Sequence, residues 1–445
     1  MATEANFLQA LGDTVEETVK TIEPIQKHVY WNFGDYKSTI GEAGEVGFGV
    51  GYADATQDEL NTLDLVPMDG TFDKYSNNYG NYMQKYGGVF VCLPVCYFRI
   101  ASPEAPQYSV YGVNSIEVVP YDRYPSEAAA LADGFVIPRC FYDGGKLQPG
   151  VFIQKYEASA VSIAGGTYYA GVPNVKGVVS IPPVVMMQYA KTLGAGFNPE
   201  LAFSKAFMDF ITLAHAQQSS TNRDNAWYQG SASGANRPVQ NDPSYSAAAS
   251  HNGQLNGIMQ VSQCWWEFKT GITTAGSNGD QGQTAVTENA LYLLKPSAKH
   301  ADLTSGFGGA TDAWGTSASL QSGMYDRYEL TNFNLGTSRS PLYWGNGGNR
   351  IFNDPTVSVQ ANAVCGIIPY NDASLSSGGV NMMGGPTCGY YTNSVGGTTQ
   401  NLALYTSGEH YGNHTIQNSF SRVFYFWRLF SNVDHSFRAS GYLQG

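Results

Sequence analysis

The sequence predicts an α+β protein, rich in loops, with short antiparallel strands and two helices behind a small, mostly β N-terminal region. Three observations carry this. The 445 residues hold 51 Gly, 30 Tyr and 22 Phe, while charged residues make up only 13%, a balance that favours strands and turns over long solvated helices. The apolar runs are short and bounded by Gly, Asn and Asp, as in GGVFVCLPVCYFRI at 87–100. Two stretches instead open on proline and repeat their apolar residues at helical spacing. A hydrophobic content of 42% is enough for a packed core.

Along the chain, Phe7, Leu8, Leu11, Val15, Val19 and Ile22 form one helical stripe over residues 5–22, ended by Pro24. It reads as an attachment or self-association helix, or as one docked on its own domain. Residues 87–100 read as one buried strand. Phe135–Phe141 and Val151–Glu157 read as strands around a tight turn at Asp143-Gly144-Gly145. The first helix has Ser180 as N-cap and Pro182 and Pro183 in its first turn. It runs through Val185, Met186, Tyr189 and Leu193 and stops at Gly194. The second has Asn198 as N-cap, Pro199 at N1 and Glu200 in the first turn. Phe203, Phe207, Phe210, Ile211 and Ala214 are its core stripe. Residues 216–254 are a polar surface loop, 256–271 regain strand character, and 272–350 are again loop-rich. In 419–442, Val423, Phe424, Phe426 and Leu429 suit a core face. Ser421, Tyr425, Trp427, Arg428, Asn432, Asp434 and His435 suit the outward face. Alternation breaks within this run, so a bulge or bend is required. The organisation expected is an N-terminal attachment/β region at 1–85 and a ligand-binding domain at 86–445.

Charge excludes several functions. The net charge is −12, from 24 basic against 36 acidic residues, with no basic run, so nucleic-acid binding is not expected. No apolar stretch approaches the ~18 residues of a membrane span, and the first residues lack the basic and apolar regions of a signal peptide. The six cysteines (Cys92, Cys96, Cys140, Cys264, Cys365 and Cys388) are too sparse for a disulfide scaffold and read as free buried thiols. No zinc set, G-x-S-x-G elbow or phosphate-binding glycine loop occurs. His410 and His414 flank a turn-like stretch, and His28, His215, His251 and His300 read as surface or capping residues. Of Trp265 and Trp266, one is expected inward and one partly outward.

The order of several motifs resembles a known family. GVFIQKYEAS, a proline-started helix, FMDFITLAHAQQ, NGIMQVSQCWWEFKTG and a final FRAS come one after another. This order is similar to the formylglycine-generating-enzyme subtype of the C-type lectin fold. Lys155-Tyr156-Glu157, Asn256-Gly257 and Trp266-Glu267-Phe268 match its motifs, with Phe in place of the final Trp. Ser436-Phe437-Arg438-Ala439 matches with Ser in place of Gly. The upstream segment resembles viral tail-fibre proteins, and the crowded end resembles the variable region of diversity-generating-retroelement proteins, here about 388–438.

The resemblance implies a receptor-binding surface on a C-type lectin scaffold, built from Tyr390, Tyr391, Tyr405, Tyr411, Asn413, His414, Tyr425, Trp427, Arg428, Asn432, Asp434 and His435. Tyr, Asn, His and Asp are residues that adenine mutation of an AAY codon reaches, and Tyr, Trp and Arg dominate contact energy at interfaces. The expected partner is a host cell-surface protein or glycan, with other virion proteins beside it, and the expected location is a virion tail fibre or a cell surface. The alternative is a structural tail-fibre subunit whose C-terminal aromatics bury in an oligomer interface. The family's oxidase activity needs two adjacent cysteines near the C-terminus. Cys365 and Cys388 stand apart and none comes after them, so no enzyme activity and no cofactor are expected. Oxygen-rich loops such as 278–280 have the donors that a structural calcium takes.

Overall fold

The computed structural model describes residues 51–208 except 74–75, 77, 101, 105–115, 164, 174 and 176. Beyond these it describes 254–255, 258–259, 266–274, 290–304, 327–334, 389–390, 402–407, 421–427 and 435–443. These residues form an α+β structure of open sheets. The expected helix at 5–22, the calcium-type loop at 278–280 and the second half of the helix at 203–214 lie outside or run beyond them.

The strands in chain order begin with β1 (Leu65–Pro67), β2 (Asn81–Gln84), β3 (Val89–Pro94), β4 (Cys96–Ile100), β5 (Ile116–Pro120), β6 (Tyr142–Asp143), β7 (Lys146–Leu147) and β8 (Gly150–Gln154). Next come β9 (Ser159–Ile163), β10 (Gly166–Ala170), β11 (Phe197–Pro199), β12 (Gln254–Leu255), β13 (Ile258–Met259) and β14 (Trp266–Thr274). The last are β15 (Ala290–Leu294), β16 (Tyr328–Asn334), β17 (Gly389–Tyr390), β18 (Leu402–Ser407), β19 (Ser421–Trp427), β20 (His435–Ser436) and β21 (Ala439–Gly441). One sheet has the order β1-β2-β3-β8-β21-β11; a second has β16-β15-β14-β18-β19-β17, with β20 pairing β14 from the side.

The first sheet is buried on both faces at its centre. Every residue of β8 is buried, as is every residue of β3 but Pro94, which is why both read as continuous apolar runs rather than alternating ones. Gly150 is required where they meet, because a Cβ there would lie 2.9 Å from the Leu93 carbonyl oxygen and 3.0 Å from Cys92 Sγ.

The expected single strand at 87–100 is two strands in different sheets. Pro94 has no N–H to continue the ladder, and the next amide, Val95, turns to donate to Pro149. β4 then pairs with β5. The expected strand at 135–141 is also not formed. It makes one bridge, Phe98 to Val136, and after Pro138 tightens into a single 3-10 turn at Arg139–Phe141. Arg139 explains the turn: its buried guanidinium donates to the Tyr142 and Leu294 carbonyls at 3.0 and 2.6 Å and lies over the Phe203 ring. The tight turn at 143–145 is present. Tyr142 pairs with Leu147 and Asp143 with Lys146, and the two linking glycines have φ of 59° and 78°, the positive values that a two-residue I′ hairpin demands.

Helix α1 (Gln57–Leu60) is closed by a Thr56–Glu59 capping box, and α2 (Glu127–Ala132) by Ser126. Helix α3 (Pro183–Lys191) has Pro182 in the cap position, not Ser180, whose φ of 63° belongs to the turn before it. It ends at Lys191 with Thr192 as C-cap, short of the expected Leu193, and Gly194, with a φ of 145°, follows in the turn after it. The second expected helix starts later. Asn198 and Pro199 lie in β11, paired with Ser440 and Ala439, and helix α4 is described over 202–208. Asn198 Nδ2 donates to the His300 carbonyl, and its Oδ1, the atom a cap would use, accepts no amide.

The expected boundary at residue 85 falls inside the first sheet, because β2 pairs with β3 across it. Leu60, Leu63, Leu65, Tyr79 and Tyr82 share one core with Phe90, Phe152, Phe197 and Phe437. Residues 51–85 therefore belong to the same packed unit as the strands after residue 85. Among the described residues no helix is long and apolar enough to cross a membrane.

Candidate functional site

Three of the sequence motifs converge inside the protein. Glu267 and Lys269 stand two apart on β14, so both side chains leave the same face of the strand. Lys269 Nζ donates to Glu267 Oε2 at 2.6 Å and to Glu200 Oε2 at 2.5 Å. Arg438, between β20 and β21, donates through Nε to Glu267 Oε1 at 2.6 Å and through Nη1 to the Lys155 carbonyl at 2.7 Å. Ser204 Oγ donates to Glu200 Oε1 at 3.1 Å. All of these side chains are at most 2% exposed.

Charge balance explains how they tolerate burial. Burial alone would push Glu267 up, but Arg438 and Lys269 outweigh it and hold the carboxyl below the usual range. Burial would likewise depress Lys269, yet Glu200 and Glu267 hold its ammonium above the ordinary lysine value. Lys155 and Glu157 behave differently. Burial pulls Lys155 down to about 7 and pushes Glu157 up to about 8, the latter against the pull of Arg438.

The network ties the two sheets together. Backbone bonds run beside it: the Ala158 amide donates to Phe437 O, the Glu200 amide to Arg438 O and the Thr270 amide to Glu200 O. β14 is thereby joined to β8, β11 and β21, and the remaining strands of the second sheet build outward from it.

Four of the twelve expected ligand-binding positions lie on those strands. Tyr405 is on β18, opposite Phe268 of β14 and Val423 of β19. Tyr425 and Trp427 are on β19, and Tyr390 is on β17, which runs parallel to β19 at the sheet edge. The required irregularity is there: Ala403 faces Phe426 and Leu404 faces Phe424, leaving Tyr425 as the extra residue of a bulge. His435 is a correction. It was expected to face outward, but it is 2% exposed, in β20 beside Trp266 of β14, where parallel pairing encloses it. Tyr391, Tyr411, Asn413, His414, Arg428, Asn432 and Asp434 lie outside the described residues, as do His410 and the placement of the Trp265 and Trp266 side chains.

His300 also differs from expectation. It is buried, not a surface residue: its amide donates to Asp143 Oδ1 at 2.6 Å, and its Nε2 lies 2.9 Å from the Pro199 carbonyl. Burial pushes the ring down to about 3, so it is neutral. Cys92, Cys96 and Cys140 are buried free thiols held well above the ordinary thiol value by burial. Among the described residues no three His, Cys, Asp or Glu side chains are grouped to hold a metal ion.

Sequence reasoning finds Glu267 and Arg438 only as motif letters, gives Glu200 a helix-terminus role and misses Lys269. The available signal was Glu-x-Lys inside an otherwise apolar or uncharged strand, WEFKTGIT, where two charges share one face. No family model matches this sequence, and no curated protein matches it.

Proposed function

We propose that the chain is a ligand-binding protein of the diversity-generating-retroelement type, with a C-type lectin fold of the formylglycine-generating-enzyme subtype. Its ligand is a protein or glycan of a host cell surface, captured without making or breaking a bond, and its place is a virion tail fibre or a cell surface. One observation carries the reading. Tyr390, Tyr405, Tyr425 and Trp427 sit on three adjacent strands, β17, β18 and β19, which extend from a strand locked by buried ion pairs. A framework fixed from behind supports a binding surface on these strands, and substitutions at solvent-facing positions usually change folding by only about 0.5 kcal/mol. The bulge at Tyr425 suits this role, because bulges re-aim a side chain and are common beside functional sites.

The test replaces Tyr425 and Trp427 by Ser together. Binding to host cells and to an immobilised glycan panel should be lost while the melting temperature and light-scattering mass stay unchanged. A large fall in melting temperature would make these residues core. A fall in mass would make them an oligomer interface of a tail-fibre subunit. Sequences of sibling clones supply a second check: variation should gather at these positions and spare Glu267, Lys269 and Arg438.

A further inference from the structure

Among the described residues the buried network holds a carboxyl group that no cation bonds. Three carboxyl groups, Glu157, Glu200 and Glu267, share it with two cations, Lys269 and Arg438. The cations aim their hydrogen bonds at other groups: Lys269 at Glu200 and Glu267, Arg438 at Glu267 and the Lys155 carbonyl. No cation bonds either carboxyl oxygen of Glu157, and the Ser436 hydroxyl beside it falls short of full hydrogen-bond geometry. Ser436 belongs to β20, opposite Glu267 of β14. The group thus sits where the chain after β8, the parallel pair β14–β20 and Arg438 come together.

We propose that Glu157 keeps its proton in the folded chain and that losing it loosens the joint between β14 and β20, which makes the framework pH-responsive. With that proton Glu157 needs no counter-ion of its own. Without it a carboxylate that no cation bonds is enclosed in a medium that solvates it poorly. The groups acting on Glu157 are Arg438, Ser436, Glu267 and Lys269. Its chain neighbour Lys155 is buried as well, and His435 lies next along β20. The sign comes from proton counting. Glu157 stands near 8 in the folded chain against its ordinary 4.5. Between these values the folded state holds the extra proton, so stability falls as pH rises through the window and levels off above it. Lys155 acts oppositely and at higher pH: its depressed value, about 7 against 10.5, adds stability as pH rises between those two values.

The experiment compares wild type with Glu157→Gln, which keeps the shape and fixes the neutral state. Urea unfolding is measured from pH 5 to pH 8. The unfolding constant of wild type relative to the variant should rise steadily, by up to about tenfold per pH unit. A ratio that stays flat across the window overturns the proposal, as does a variant that is much less stable at every pH. Infrared spectra of the wild-type chain give a reading that does not depend on the variant folding. A protonated buried carboxyl band that disappears as pH is raised past 8 supports the proposal; no such band at pH 6 overturns it. Ligand binding plays no part in either measurement, so these outcomes stand apart from the fate of the function proposed above.

Discussion

Replacing Lys269 by Met removes one charge from the network and almost no volume. In the wild-type chain the ammonium contacts two carboxylates at 2.5 and 2.6 Å, and lysine and both acids are at most 2% exposed. After the change Glu267 still has Arg438, but Glu200 is left with the Ser204 hydroxyl alone. Removing one partner of a buried pair costs about 3–5 kcal/mol, because the charge left behind stays buried without compensation. A single domain commonly has only about 5–15 kcal/mol in all, so the variant should be visibly fragile. Urea unfolding at pH 7 measures the loss. Two controls sharpen it. The deficit should shrink as pH is lowered, since the orphaned carboxyl can then take up a proton and become neutral. Adding Glu200→Gln, which removes the orphaned charge and keeps an acceptor for Ser204, should recover more than half of the loss. A Lys269→Met variant within about 1 kcal/mol of wild type would refute the claim that this network holds the two sheets together.

Gly150→Ala places a methyl against the Leu93 carbonyl and Cys92 Sγ between two central strands, where backbone must move to admit it. It should cost about 1–3 kcal/mol, read as a lower urea midpoint at unchanged slope. Cys92, Cys96 and Cys140 should resist alkylation in the native protein at pH 8 and react readily in urea, because burial both hides the sulfur and disfavours the thiolate.

Much of the first sheet was legible. β3 and β8 read as unbroken apolar runs, and the Gly144-Gly145 turn was visible from two adjacent glycines after Asp143. Other elements were decided by partners far away in the chain. Asn198 and Pro199 have every local attribute of a helix start, yet pairing with β21 and the bond to His300 draw them into a strand. Local pattern also could not separate β3 from β4, since both halves of the run are equally apolar and only Pro94 marks the break. The broken alternation at 419–442 did foretell the bulge at Tyr425. It did not foretell His435, because a polar residue in a short parallel pair looks from sequence the same as one on a surface. The charged cluster was hidden for a related reason: Glu157, Glu200, Lys269 and Arg438 are dispersed over nearly 300 positions, and only folding gathers them.

The place of β21 has a consequence for any truncation of the chain. This strand is inserted between β8 and β11, in the interior of the first sheet, and Arg438 enters the ion network just before it. Both lie downstream of β17, β18 and β19. A frameshift or premature stop before residue 439 therefore removes a strand from the interior of a sheet whose other members come from the first half of the sequence, whereas in-frame substitutions in β17, β18 and β19 leave that strand in place. Packing of the first sheet thus depends on the chain having been translated past Gly441.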